Sequence, residues 1–236
     1  MKQEIKKIND LLLKKYGVPH RSEIPPKSVD LLIATILSQN TNDKNSFRAF
    51  QNLKNNYADW DSVSKLSIAQ IEKEIKVAGL SKQKSKSIKN FLVTIKKEKG
   101  KISLEHLIEM NNEKVILELT KFNGIGVKTA SCVLLFSMRR NVCPVDTHVH
   151  RTTNRIGIVK TNSPDITFKL LNKNLPENIA HQFHTNLIKL GREICKPTNP
   201  KCSICPLEKV CRYEFKILTS KSNYKENNFL LLDSIK

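Results

Sequence analysis

The chain has 236 residues, with 41 Lys and Arg against 22 Asp and Glu, a formal charge of +19. Its 39% hydrophobic and 27% charged residues exclude a disordered chain, and no apolar run reaches the ~18 residues of a bilayer span. An excess this positive favours a polyanionic partner through counterion release, although a nucleic acid, a ribosomal surface and an anionic membrane surface satisfy charge equally.

The dominant period is helical. Ile5, Ile8, Leu11 and Leu12 line one side of a first helix that Gly17 can end. Pro25 and Pro26 mark a boundary. Ser28 is placed to cap a helix over 29–37 that is apolar on most sides and therefore buried. A further helix follows over 43–55. Ser67 caps 68–77, and Gly79 offers a left-handed stop. Residues 84–99 form an amphipathic helix with Ile88, Phe91, Leu92 and Ile95 inward, and Ser103 and Asn112 open two short helices. After a turn at Gly124-Ile125-Gly126 comes a strongly apolar helix carrying Ala130, Val133, Leu134 and Phe136. Helices over 147–155, 164–174 (Ser163 as cap, Pro164 first) and 176–190 complete the pattern. No alternating strand pairs appear, so the fold class is all-α. The N-terminal Lys-rich stretch precedes no apolar signal core, so an intracellular location, cytoplasm or nucleoid, is expected.

Four of the six cysteines crowd into one segment. Cys195, Cys202, Cys205 and Cys211 have six, two and five residues between them, close enough to close around one metal centre. Pro197, Pro200 and Pro206 stiffen this loop, and Lys196, Lys201, Lys209 and Arg212 make it basic. The spacing leaves zinc and an iron–sulfur cluster both open.

Gly124 and Gly126 let the backbone turn tightly before a helix, whose free N–H groups attract a phosphate. Lys128 falls in the first turn of that helix. The positive end of a helix dipole favours the neutral amine there, the form a nucleophilic lysine needs. Asp146, in Val145-Asp146-Thr147-His148, can cap the helix that follows. A carboxylate facing a sugar can also stabilise an oxocarbenium-like transition state. His148 and His150, two residues apart on a helix, point to different faces and do not form a metal site with Asp146.

Together these residues resemble the endonuclease III family of helix-hairpin-helix DNA glycosylases. That family's hairpin reads Leu-Pro-Gly-Val-Gly-x-Lys-Thr-Ala; here the stretch is Phe122-Asn123-Gly124-Ile125-Gly126-Val127-Lys128-Thr129-Ala130. The family's Val-Asp-Thr-His matches Val145 to His148, and its Gly-Arg-x-x-Cys matches Gly191-Arg192-Glu193-Ile194-Cys195, with the cysteine spacing in agreement.

The resemblance implies a bilobal all-α fold. A six-helix barrel with the helix-hairpin-helix would span 22–138, and a cluster lobe would combine 1–21 with 139–211. Residues 212–236 would remain as a C-terminal tail. It implies a [4Fe–4S] cluster on the four cysteines, and a monomer acting on double-stranded DNA with damaged bases or abasic sites. Lys128 would attack C1′ and expel the base, with Asp146 assisting. Gly124, Gly126, Asn40, Leu80 and Lys201 would contact the DNA, Leu80 as an intercalating leucine. Asn40 stands where the family usually has glutamine, and Asn123 replaces the usual hairpin proline. The implied activity is a bifunctional N-glycosylase and abasic-site lyase that removes oxidised pyrimidines in base excision repair. A mismatch glycosylase acting on uracil or thymine and a non-catalytic DNA-binding relative are the alternatives.

Overall fold

The computed structural model describes residues 1–219 and 231–235. The helices are α1 (Lys2–Tyr16), α2 (Ser28–Leu37), α3 (Asp43–Asn56), α4 (Trp60–Lys65), α5 (Ile68–Ile75) and α6 (Ser81–Lys99). They continue as α7 (Asn112–Thr120), α8 (Val127–Cys132), α9 (Thr147–Ile156), α10 (Pro164–Lys173) and α11 (Ala180–Glu193). Among the described residues there is no strand. The chain divides into two compact units, Met1–Arg21 with Arg140–Asn228, and Ser22–Arg139 with Phe229–Lys236. The first holds α1, α9, α10, α11 and the cysteine loop. The second holds α2 to α8.

The second unit is built around α2. Leu31, Leu32, Ile33, Ala34, Ile36 and Leu37 are all fully buried, because α3, α6 and α8 cover every side of this short apolar helix. The inward face of α6 carries Ile88, Phe91, Leu92 and Ile95, as its period requires. Phe91 meets Phe122 edge-on at 5.1 Å, which seats the residue before the Gly-x-Gly turn against α6. In the first unit, α11 packs on α1 and α9 through Phe183, Leu187 and Leu190.

Local chemistry fixes most helix ends. Ser67 and Gln70 form a reciprocal capping box on α5, and Ser163 caps α10 with Pro164 in its first turn. Ser28 does not cap α2: it is the helix's first residue, and its hydroxyl lies 2.7 Å from that of Ser137, which donates to Pro26 O at 2.8 Å. The helix expected from Ser103 is a 3₁₀ turn, Glu105–Leu107. The helix expected over 176–190 begins only at Ala180, because Asn178 takes a left-handed φ of 61° that no α-helix accommodates. The apolar helix after the turn widens into a π-helix over Val133–Ser137.

The chain's end is anchored. A 3₁₀ turn, Leu231–Asp233, packs on α2 and α3, with Leu231 and Ile235 buried and Leu231 N–H donating to the Asp43 carboxylate at 3.3 Å. Of the C-terminal tail expected over 212–236, residues 220–230 and 236 lie outside the described residues.

Gly124 is the tightest point of the second unit. Its φ is +86°, and an added Cβ would stand 2.1 Å from Ser87 Oγ and 2.8 Å from Ser87 Cβ on α6. Gly124→Ala is therefore expected to cost about 2 kcal/mol of unfolding free energy, from strain and displacement of α6. A urea midpoint equal to that of the unmodified protein would contradict this close approach.

Candidate active site and cysteine loop

The hairpin is held from both ends. Phe122 and Ile125 are buried, and Ile125 N–H donates to Phe122 O at 3.1 Å to close the turn. Gln39 Nε2 donates to Gly124 O at 3.2 Å, tying the loop after α2 to the turn. Gly126 differs from Gly124. Its φ is −97° and an added Cβ would meet nothing within 4 Å, so folding alone does not require glycine there. Lys128 is the second residue of α8. It is half-buried, and among the described residues no hydrogen bond or ion pair engages its ammonium.

Two exposed residues stand on neighbouring loops of the same unit. Asn40, shortly after α2, has φ 50°; Leu80, at the start of α6, has φ 47° and is 51% exposed. Neither is a core residue. Behind them is a group that was not anticipated. Lys84 is 1% exposed, and its ammonium donates to Leu37 O and to Ala78 O, each at 2.8 Å. Burial pulls its pKa down to about 8.

Asp146 belongs to the other unit. It caps α9, accepting from Val149 N–H at 2.8 Å, and is half-buried. Two residues along, burial holds the His148 imidazole below its ordinary pKa, against the opposing pull of the Asp146 carboxylate. His148 Nδ1 lies 3.3 Å from Arg151 Nη2, whereas His150 Nδ1 lies 2.7 Å from the Thr167 hydroxyl, so the two imidazoles serve different partners.

All four cysteines of the loop line one hollow, together with Arg155, Tyr213 and Lys216, and none is in a disulfide. Among the described residues, no three His, Cys, Asp or Glu side chains are drawn together as a single bound metal ion would need. Burial, aided by the three other cysteines, pushes the Cys205 thiol up to about 12; burial also raises Cys211. Arg155 organises the rim: it donates to Lys196 O at 2.6 Å and Pro197 O at 2.9 Å, and lies 4.4 Å from the Tyr213 ring centroid. Lys201 stands in the loop just before Cys202 and is half-exposed.

Lys84, Gln39, Arg155 and Tyr213 were not evident from sequence. Only Lys84 had a usable signal, since it lies in register with Ile88, Phe91, Leu92 and Ile95 on the apolar stripe of α6. Arg155 is one basic residue among many, and nothing local marks it.

The family described as HhH-GPD superfamily base excision DNA repair protein matches residues 33–177. An endonuclease III of Thermotoga maritima is 34% identical over 205 residues, covering 86% of this chain and 89% of that protein. An endonuclease III of Rickettsia felis is 31% identical over 223 residues, covering 93% of this chain and 99% of that protein. A longer relative from Arabidopsis thaliana is 37% identical over 189 residues; the match covers 76% of this chain and 64% of the relative. Among solved structures, a non-covalent endonuclease III–DNA complex aligns with a TM-score of 0.77 at 27% identity, covering 90% of this chain and 95% of that one. A trapped endonuclease III–DNA covalent intermediate aligns with a TM-score of 0.76 at 27% identity, covering 90% and 96%. The chain belongs to the HhH-GPD superfamily of base excision DNA repair proteins and is an endonuclease III-like DNA glycosylase, with that family's all-α helix-hairpin-helix fold. No described helix is long and apolar enough to cross a membrane.

Arg155 tests the organisation of the loop. Removing its guanidinium leaves the carbonyls of Lys196 and Pro197 without their donor, so Arg155→Ala should cost about 2 kcal/mol. A thermal midpoint unchanged by the substitution would show that the loop does not depend on it.

Proposed function

We propose that the protein is a bifunctional DNA glycosylase and abasic-site lyase that excises oxidised pyrimidines from double-stranded DNA. The observation that carries this reading is Lys128: a half-exposed amine, unengaged among the described residues, two residues beyond a hairpin glycine. Gly126 supports it, because the space beside its Cα is open and suits the close approach of a phosphate.

The chemistry follows from the amine. Its neutral form attacks C1′ of the damaged nucleotide, the N-glycosidic bond breaks, and the departing base takes up a proton. The sugar ring opens to a Schiff base between C1′ and the Lys128 nitrogen. Loss of a C2′ proton then expels the 3′ phosphate by β-elimination, and water releases the lysine. Asp146 stabilises the positive charge that develops on the sugar as the base leaves. Asn40 and Leu80 enter the duplex where the nucleotide is extruded, filling the space and meeting the orphaned base.

Cys195, Cys202, Cys205 and Cys211 hold a [4Fe–4S] cluster in this reading. What supports this reading is that the four cysteines, at the family's spacing, all line one hollow. When bound, the cluster supplies the positive centre that keeps the thiolates and stiffens the basic loop. Lys201 presents its charge to a phosphate from that loop.

Borohydride should trap a covalent complex between the protein and DNA carrying thymine glycol or an abasic site, and Lys128→Ala should abolish trapping while leaving DNA binding in place. Persistent trapping would mean another nucleophile. Asp146→Asn keeps a side-chain oxygen for the α9 cap but removes the charge. It should lower turnover far more than affinity, and equal turnover would remove Asp146 from the chemistry.

A further inference from the structure

Among the described residues Lys84 is the one buried Lys or Arg, and the proposed chemistry does not use it. A lysine at 1% exposure is costly to bury, and an apolar side chain would continue the α6 stripe at less desolvation cost. Its position answers to two helix ends instead. Leu37 is the last residue of α2, and Ala78 is the last residue of the 3₁₀ turn Lys76–Ala78. Carbonyls at such ends lack intrahelical partners and lie at the negative end of the helix dipole, where a cation is favoured. One ammonium satisfies both, at 2.8 Å each.

Each of these ends leads directly into an exposed residue. Asn40 lies three positions beyond Leu37, and Leu80 two positions beyond Ala78, both with left-handed backbones at φ 50° and 47°. A leucine holds that conformation only where its surroundings dictate it. Leu80 O accepts from the N–H groups of Gln83 at 3.1 Å and Lys84 at 3.0 Å, and the Lys84 side chain returns beneath the loop to Ala78. Gln39, bonded to Gly124 O, extends the same tie to the hairpin. With its pKa lowered to about 8, the amine still carries its proton at neutral pH.

We propose that Lys84 is a positioning residue for DNA interrogation, fastening the Asn40 loop to the Leu80 loop so that both enter the duplex as one wedge. This rests on the reading of Asn40 and Leu80 given under Proposed function. Lys84 touches neither DNA nor the reacting sugar. It sets the separation of the two side chains that do.

The test uses a duplex with a tetrahydrofuran abasic-site analogue opposite 2-aminopurine, whose fluorescence rises when a wedge unstacks it and which needs no Lys128 chemistry. At saturating protein, Lys84→Met should reduce that rise about tenfold, as Leu80→Ala does, with affinity for undamaged duplex unchanged. Lys84→Gln, whose amide keeps a donor, should restore part of the rise. A full rise in Lys84→Met beside a lost rise in Leu80→Ala overturns the staple and leaves the wedge standing. No rise in the unmodified protein overturns the wedge itself and the staple with it. Equal loss of the rise and of undamaged-duplex binding in both Lys84 variants makes Lys84 a folding residue only, and overturns the proposal too.

Discussion

The missing side chain of Gly124 lets the hairpin sit directly on α6, at a distance where a Cβ would collide with Ser87. Phe122 is then brought against Phe91, Ile125 is buried, and Gln39 reaches the turn's carbonyl. The direction in which α8 leaves the turn follows from that contact, and with it the place of Lys128. Hairpin, α6 and the loop after α2 are thus joined through Gly124, Phe122 and Gln39.

Electrostatics divides the molecule's cations by task. Most of the described Lys and Arg residues are exposed or half-exposed, and the chain's charge of +19 draws it to a polyanion without reading sequence. Three of them bear on the sites described above. Lys128 is left unengaged among the described residues, as a nucleophile requires. Lys84 is withdrawn from solvent and spent on two carbonyls. Arg155 braces the cysteine loop through backbone oxygens and the Tyr213 ring. Burial and what each cation faces set these three apart, since composition makes them indistinguishable.

That difference explains what was legible beforehand. Helix positions followed from the period of apolar residues, and caps such as Ser67 and Ser163 from side chains that bond their own backbone, both of which are local properties. The family motif around Lys128, the Asp146 stretch and the cysteine spacing were legible because their chemistry is written in contiguous residues. Ser28 was misread as a cap because its partner, Ser137, is remote in sequence. The late start of α11 was missed because Asn178 breaks the helix by backbone conformation, which apolar period does not encode. Lys84 was passed over for the same reason as Ser28: both carbonyls it serves lie outside its own helix.

In the proposed reaction one amine, that of Lys128, becomes covalently joined to the deoxyribose. This step is tested most directly by trapping the protein on abasic-site DNA with borohydride, digesting the complex, and mapping the adduct by mass spectrometry. The account predicts a reduced deoxyribose adduct on Lys128. An adduct on the Met1 amino group, on Lys84 or on a lysine of the cysteine loop, with Lys128 unmodified, would contradict it.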